Sequence, residues 1–181
     1  LSMIENAAEK IAQKIKDANP QDTASVEVMK YSLIAVIGTG SAIAFSMLFS
    51  ALLGTLIETL LTIFAFVSLR SISGGYHFKT AEACTLSSII GAVALPLIPL
   101  DYYSGIRLMI ASIILIAWLA PIGINQSRIF TAKHYPSLKL LSILLVASNF
   151  LFMSDILTKA FFVQAITLLI TKGGEWNEKT Q

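Results

Sequence analysis

Between positions 31 and 69 the chain runs through apolar side chains with a single charge, Glu58. One helix over that stretch would be about 58 Å long, roughly twice the hydrocarbon thickness of a bilayer. The pattern therefore predicts two helices, near 31–50 and 52–69, folded back around 50–55. Four more apolar runs follow at 83–100, 105–123, 138–157 and 159–172. The links at 101–104 and 155–158 are short, so the helices they join are expected to be antiparallel neighbours. The beginning of the chain is patterned differently. Ile4, Ala7, Ala8, Ile11, Ala12, Ile15 and Ala18 recur at helical spacing, with Lys10, Lys14 and Lys16 between them. This is an amphipathic helix ended by Asn19 and Pro20, suited either to the membrane surface or to packing on cytoplasmic segments.

Composition moves the picture from apolar helices to a membrane. The 181 residues are 55% hydrophobic and only 13% charged, where a soluble domain is about a quarter charged. Too little polar surface remains to coat a globule. The predicted fold class is all-α, a polytopic transmembrane bundle of about six spans preceded by an interfacial helix. It is read as one membrane-embedded domain over 1–181, with an N-terminal segment 1–30, a bundle 31–172 and a cytoplasmic tail 173–181. Six spans put both termini on one side. Of the 13 Lys and Arg, all but Arg107 and Lys159 then fall on the side of the termini and of the 70–82 and 124–137 loops. That asymmetry marks the side as cytoplasmic. Met3 is expected to be the natural start, and the polar first thirty residues do not read as a cleavable signal peptide. A net charge of +2 gives no indication of nucleic-acid binding.

Candidate chemistry concentrates in "RSISGGYHFKTAEACTLSS", residues 70–88, which holds His77 and the sole cysteine, Cys84. One cysteine excludes an internal disulfide and leaves a buried small hydrophobe or a reactive thiol. On one continuous helix His77 and Cys84 would be separated by roughly 10 Å along the axis, too far to pair. A break between them would allow pairing. Thr80 can cap a new helix with Cys84 in its first turn or so, while Gly74 and Gly75 permit a loop that carries His77 back. A cysteine at a helix N-terminus beside a charged imidazole is the setting that favours thiolate. Such a pair suits a nucleophile and its base. The ordinary alternatives are a packed Cys and an idle loop His. No metal or other cofactor is expected, because zinc needs three or four ligands and His134 is the only further imidazole.

The spacing R-x-x-x-G-G-Y-H-x-K-x-x-x-x-C, formed by Arg70, Gly74, Gly75, Tyr76, His77, Lys79 and Cys84, resembles the signature of the accessory gene regulator B (AgrB) family. These are polytopic membrane cysteine endopeptidases of quorum sensing. The likeness extends to chain length, span layout and the place of the motif after the second span. "LAPIGINQSRI", residues 119–129, is a weaker echo; Gly123, Ser127 and Arg128 stand where the family pattern carries an acidic residue and Lys-Pro. The resemblance implies Cys84 as nucleophile and His77 as general base. The substrate would be an AgrD-like precursor peptide held at the lipid surface. Loss of its C-terminal tail leaves an acyl-enzyme, and ring closure gives a thiolactone or lactone. It is also compatible with a homodimer. Gly74 and Gly75 are candidates for loop shaping or for oxyanion donors, and Arg70 for contact with the acidic tail or lipid phosphates, or for a plain interfacial anchor. Glu58, an intramembrane carboxylate, and Asn125, Gln126 and Ser127 are candidate substrate contacts. Glu82 reads as a helix-start charge, and Asn149 and Gln164 as hydrogen-bonding groups between helices. Two rival readings are a small transporter or exporter coupled through Glu58, and a non-catalytic membrane scaffold.

Overall fold

The long apolar stretch breaks where the sequence offers a glycine. Helix α2 (Val26–Leu53) ends at Gly54, which adopts a left-handed φ of 72°. Helix α3 (Leu56–Ser73) begins two residues later. The structure, a computed structural model, describes residues 3–76, 78, 80–122 and 132–179. Among these, every regular element is helical. The others are α1 (Met3–Ala18), α4 (Ala81–Leu97), α5 (Tyr102–Leu119), α6 (Tyr135–Ala147), α7 (Asn149–Phe152) and α8 (Asp155–Lys179).

Four of these segments are long and apolar enough to cross a membrane: Val26–Leu53, Leu56–Ser73, Tyr102–Leu119 and Tyr135–Phe152. Ala81–Leu97 is apolar but shorter, and Pro96 near its end supplies no backbone N–H to continue it. Leu52, Phe64 and Leu151 are 78, 70 and 84% exposed. Water would penalise so much uncovered apolar surface, and a bilayer would not. The chain is a membrane protein.

The ends of several helices differ from the sequence expectation, and caps explain the differences. Residues 101–104 are not a link: the Asp101 carboxylate accepts the Ser104 N–H at 2.9 Å and starts α5 at once. Likewise 155–158 form the first turn of α8, because Ser154 Oγ accepts the Leu157 N–H at 3.4 Å. The break before α8 instead falls at Met153, a non-glycine residue with φ 50°. Helix α8 continues to Lys179 through most of the expected tail.

The chain divides into two compact units, 1–54 with 78–93, and 55–77 with 94–181. In the first, α1 packs along α2, with Ala8 and Ala12 buried. Glu9 and Lys30 pair at 2.7 Å. The start of α1 is tied to α4, since the Ile4 N–H donates to Glu82 Oε1 at 2.8 Å. Thr85 Oγ1 donates to the Gly38 carbonyl at 3.4 Å, and a Cβ at Gly38 would meet that hydroxyl at 3.3 Å. The small residue at 38 thus serves close packing of α2 on α4.

In the second unit α8 packs against α5 and α3, and α6 against the same two helices. Ala65 and Leu69 of α3, Ile116 and Leu119 of α5, Val146 of α6, and Ala160, Phe161, Ala165 and Leu168 of α8 form its core. Two polar groups hold one end of this core. Asn149, fully buried, donates to Thr158 Oγ1 and the Ser154 carbonyl and accepts the Ser154 N–H. Lys159, 5% exposed, donates to the Ile98 carbonyl at 2.8 Å and pairs with Asp155 at 3.1 Å.

Candidate active site

Helix α3 cannot run past Ser73, because Gly74 has φ 75° and ψ −151° and Gly75 has φ 139°. Both sit where a Cβ is disfavoured. The turn is fixed by bonds to distant segments. Gly75 N–H donates to the Ile122 carbonyl at 3.2 Å, and Ile122 N–H donates to the Ser73 carbonyl at 3.1 Å, a short parallel bridge. From α8, Gln164 Nε2 donates to the Gly74 carbonyl at 2.6 Å and to Ser73 Oγ at 3.1 Å. Arg70 turns back over Phe66, its guanidinium carbon 5.9 Å from the ring centroid, and Nη2 donates to the Tyr76 carbonyl.

These bonds sharpen the sequence reading of three residues. The Gly74 N–H is held by the Arg70 carbonyl at 2.9 Å and the Gly75 N–H by Ile122. Both N–H groups of the glycine pair are thus engaged within the protein. Arg70 is engaged with its own loop, so bracing joins the roles weighed for it. Ile122 lies in the 119–129 segment noted in the sequence, but its backbone pairing with the double-glycine turn carried no local signal.

Cys84 lies in the other unit, as the fourth residue of α4. Thr80 caps that helix as expected: its hydroxyl accepts the Ala83 N–H at 3.3 Å and its carbonyl the Cys84 N–H at 3.2 Å. The Cys84 carbonyl accepts from Ser87 Oγ and Ser88 Oγ at 3.0 and 2.8 Å. The thiol is free and half-buried. It stands in the first turn, at the positive end of the helix dipole.

His77, Asn125 and Gln126 lie outside the described residues, as does Ser127. Glu58 is exposed in the first turn of α3. Twelve residues, about 18 Å of helical rise, separate it from Arg70, so α3 does not bring it to the double-glycine turn. Among the described residues no group of three or more His, Cys, Asp or Glu is arranged to hold a metal ion.

A break after α3 containing two glycines at positive φ is followed in the chain by a new helix with a free thiol in its first turn. The family model of accessory gene regulator B matches residues 8–177. The chain belongs to the AgrB family. This is a family related to quorum sensing. Accessory gene regulator protein B of Staphylococcus intermedius is 30% identical over 149 residues, covering 78% of this chain and 77% of that protein. AgrB-like protein 2 of Clostridium perfringens is 23% identical over 186 residues, covering 97% of this chain and 82% of that protein. The FsrB protein of Enterococcus faecalis is 30% identical over 120 residues, 62% of this chain and 50% of its own length. No solved structure matches the chain.

Proposed function

We propose that this AgrB-family protein is a membrane cysteine endopeptidase that removes the C-terminal tail of an AgrD-like precursor peptide and promotes its cyclisation. One observation carries the reading. In an AgrB-family chain, the only cysteine is a free, half-buried thiol in the first turn of a capped helix, seven residues after the motif histidine.

The chemistry balances without a cofactor. His77 takes the proton from Cys84 Sγ as the sulfur attacks the scissile carbonyl, and the tetrahedral adduct collapses with release of the tail. His77 returns the proton to the departing amine. The peptide is left as a thioester on Cys84. An internal cysteine of the peptide, or a serine in a lactone-forming substrate, then attacks that thioester. Its proton passes to His77 and on to the departing Cys84 sulfur. Thioester exchange between two sulfurs is close to even in free energy, whereas hydrolysis would discard the activation. A membrane-embedded site restricts water and favours ring closure.

Six spans with both termini, His77 and Cys84 at the cytoplasmic face give the substrate a route from the inner leaflet, and they agree with the Lys and Arg asymmetry. In this reading α1 lies at the membrane surface and two copies form a homodimer. The transporter alternative rested on Glu58, whose exposed place in the first turn of α3 suits a helix-start carboxylate with no coupling role.

The test is cleavage in liposomes of a synthetic amphipathic peptide with an internal cysteine and an acidic tail. Cys84→Ala is expected to abolish tail release, and His77→Ala to slow it by about 10²–10⁴-fold, the span of general-base catalysis. Undiminished cleavage by folded Cys84→Ala protein would exclude the reading.

A further inference from the structure

Gln164 occupies a place where the core-facing stripe of α8 should be apolar. Ala160, Phe161, Ala165 and Leu168 around it all belong to the buried core, and Gln164 is itself 0% exposed. A carboxamide buried there is unfavourable unless its polar atoms are paired. Both protons of Nε2 are engaged, one by Ser73 Oγ and one by the Gly74 carbonyl. A carbonyl oxygen can only accept, so the atom facing Gly74 is the nitrogen, which fixes which way round the amide lies. On the other side Thr167 Oγ1 lies 3.1 Å from Oε1. An apolar side chain would hold α8 against α3 equally well. What the amide adds is a grip on one carbonyl of the turn.

That grip is one of three on consecutive residues. Gln164 holds the Gly74 carbonyl, Ile122 the Gly75 N–H, and Arg70 the Tyr76 carbonyl. The next residue in sequence is His77. We propose that Gln164 is a positioning residue for the peptidase reaction: by holding the Gly74 carbonyl it helps fix the double-glycine turn that immediately precedes the motif histidine in sequence. This rests on His77 being the general base, as argued above. The effect of Gln164 is through the turn, with no contact to substrate.

The experiment compares wild type, Gln164→Leu and Gln164→Glu in liposomes with the same synthetic peptide, measuring kcat, KM and the pH–rate profile. Leu keeps apolar volume without a donor, whereas a buried Glu is driven toward its protonated form and keeps one O–H for the Gly74 carbonyl. Leu is expected to lower kcat by about 10- to 100-fold, the scale of small misplacements in an active site, and Glu by less. KM should change by less than about threefold, and the limb of the profile that reports the base should move in the Leu variant. Folded Gln164→Leu protein with wild-type kcat and profile overturns the proposal. Failure of both variants to fold overturns it too, because Gln164 would then serve the fold. Cys84→Ala measured alongside keeps the two claims apart: cleavage surviving there sinks the peptidase reading, whatever Gln164 does.

Discussion

At the scale of single residues, a methyl group added at Gly75 would lie 2.8 Å from Thr167 Oγ1, 3.0 Å from Gln164 Nε2 and 3.1 Å from Arg70 Nη1, at a φ of 139°. Gly75→Ala should therefore cost about 1–3 kcal/mol in thermal or SDS unfolding. A Cβ at Gly40 would meet nothing within 4 Å, so Gly40→Ala should be neutral or up to about 1 kcal/mol stabilising. Asn149→Ala would leave the Ser154 N–H without its partner and take one donor from the Thr158 hydroxyl, which keeps its own bond to the Ser154 carbonyl. It should cost about 1–3 kcal/mol, measured in the same way. The glycine pair was readable from sequence because the lack of a Cβ is a local property. The partners of the turn were not, since Gln164 meets Gly74 across 90 positions of chain. The one clue was a carboxamide set in an apolar stripe, which announced a buried hydrogen bond but not its partner.

At the scale of elements, caps decide where helices begin. The Thr80 hydroxyl satisfies an N–H in the first turn of α4, so Thr80→Ala should lower stability by about 0.5–2 kcal/mol and fray the turn that carries Cys84. Faster alkylation of Cys84 in the variant would report that fraying. Asp101 caps α5, and the Ser104 hydroxyl and N–H hold its carboxyl below the ordinary value of 3.8. Because the folded value is depressed, the stabilisation is present above about pH 4 and is lost as pH falls through the lower folded midpoint. Carboxyl NMR should show Asp101 titrating below a reference aspartate, and Ser104→Ala should raise that midpoint. Hydrophobic runs showed that these helices exist, yet their starts were misplaced by three or four residues at α5 and α8. A run of apolar residues records what is buried or lipid-facing, whereas a helix start depends on one polar side chain before it.

At the scale of the whole molecule, the density of apolar side chains and the uneven Lys and Arg distribution act together. The first puts the chain in a membrane; in the proposed reading the second turns both termini to the cytoplasm. Tags at the two termini should be digested together in inside-out vesicles and protected together in right-side-out ones. Family membership was legible because the glycine pair, His77 and Cys84 combine a spacing with a place between two apolar runs. What spacing could not convey is how the turn is held, since its bonds come from α3, Ile122 and α8. The central claim is that Cys84 becomes covalently linked to the peptide. Its most direct measurement is mass spectrometry of the protein in liposomes after incubation with a precursor whose internal cysteine is replaced by alanine, which blocks ring closure. The account predicts an adduct on Cys84 with the mass of the peptide less its tail, absent in His77→Ala protein under the same conditions. Tail release with no adduct on Cys84, continuing undiminished in Cys84→Ala protein, would contradict it.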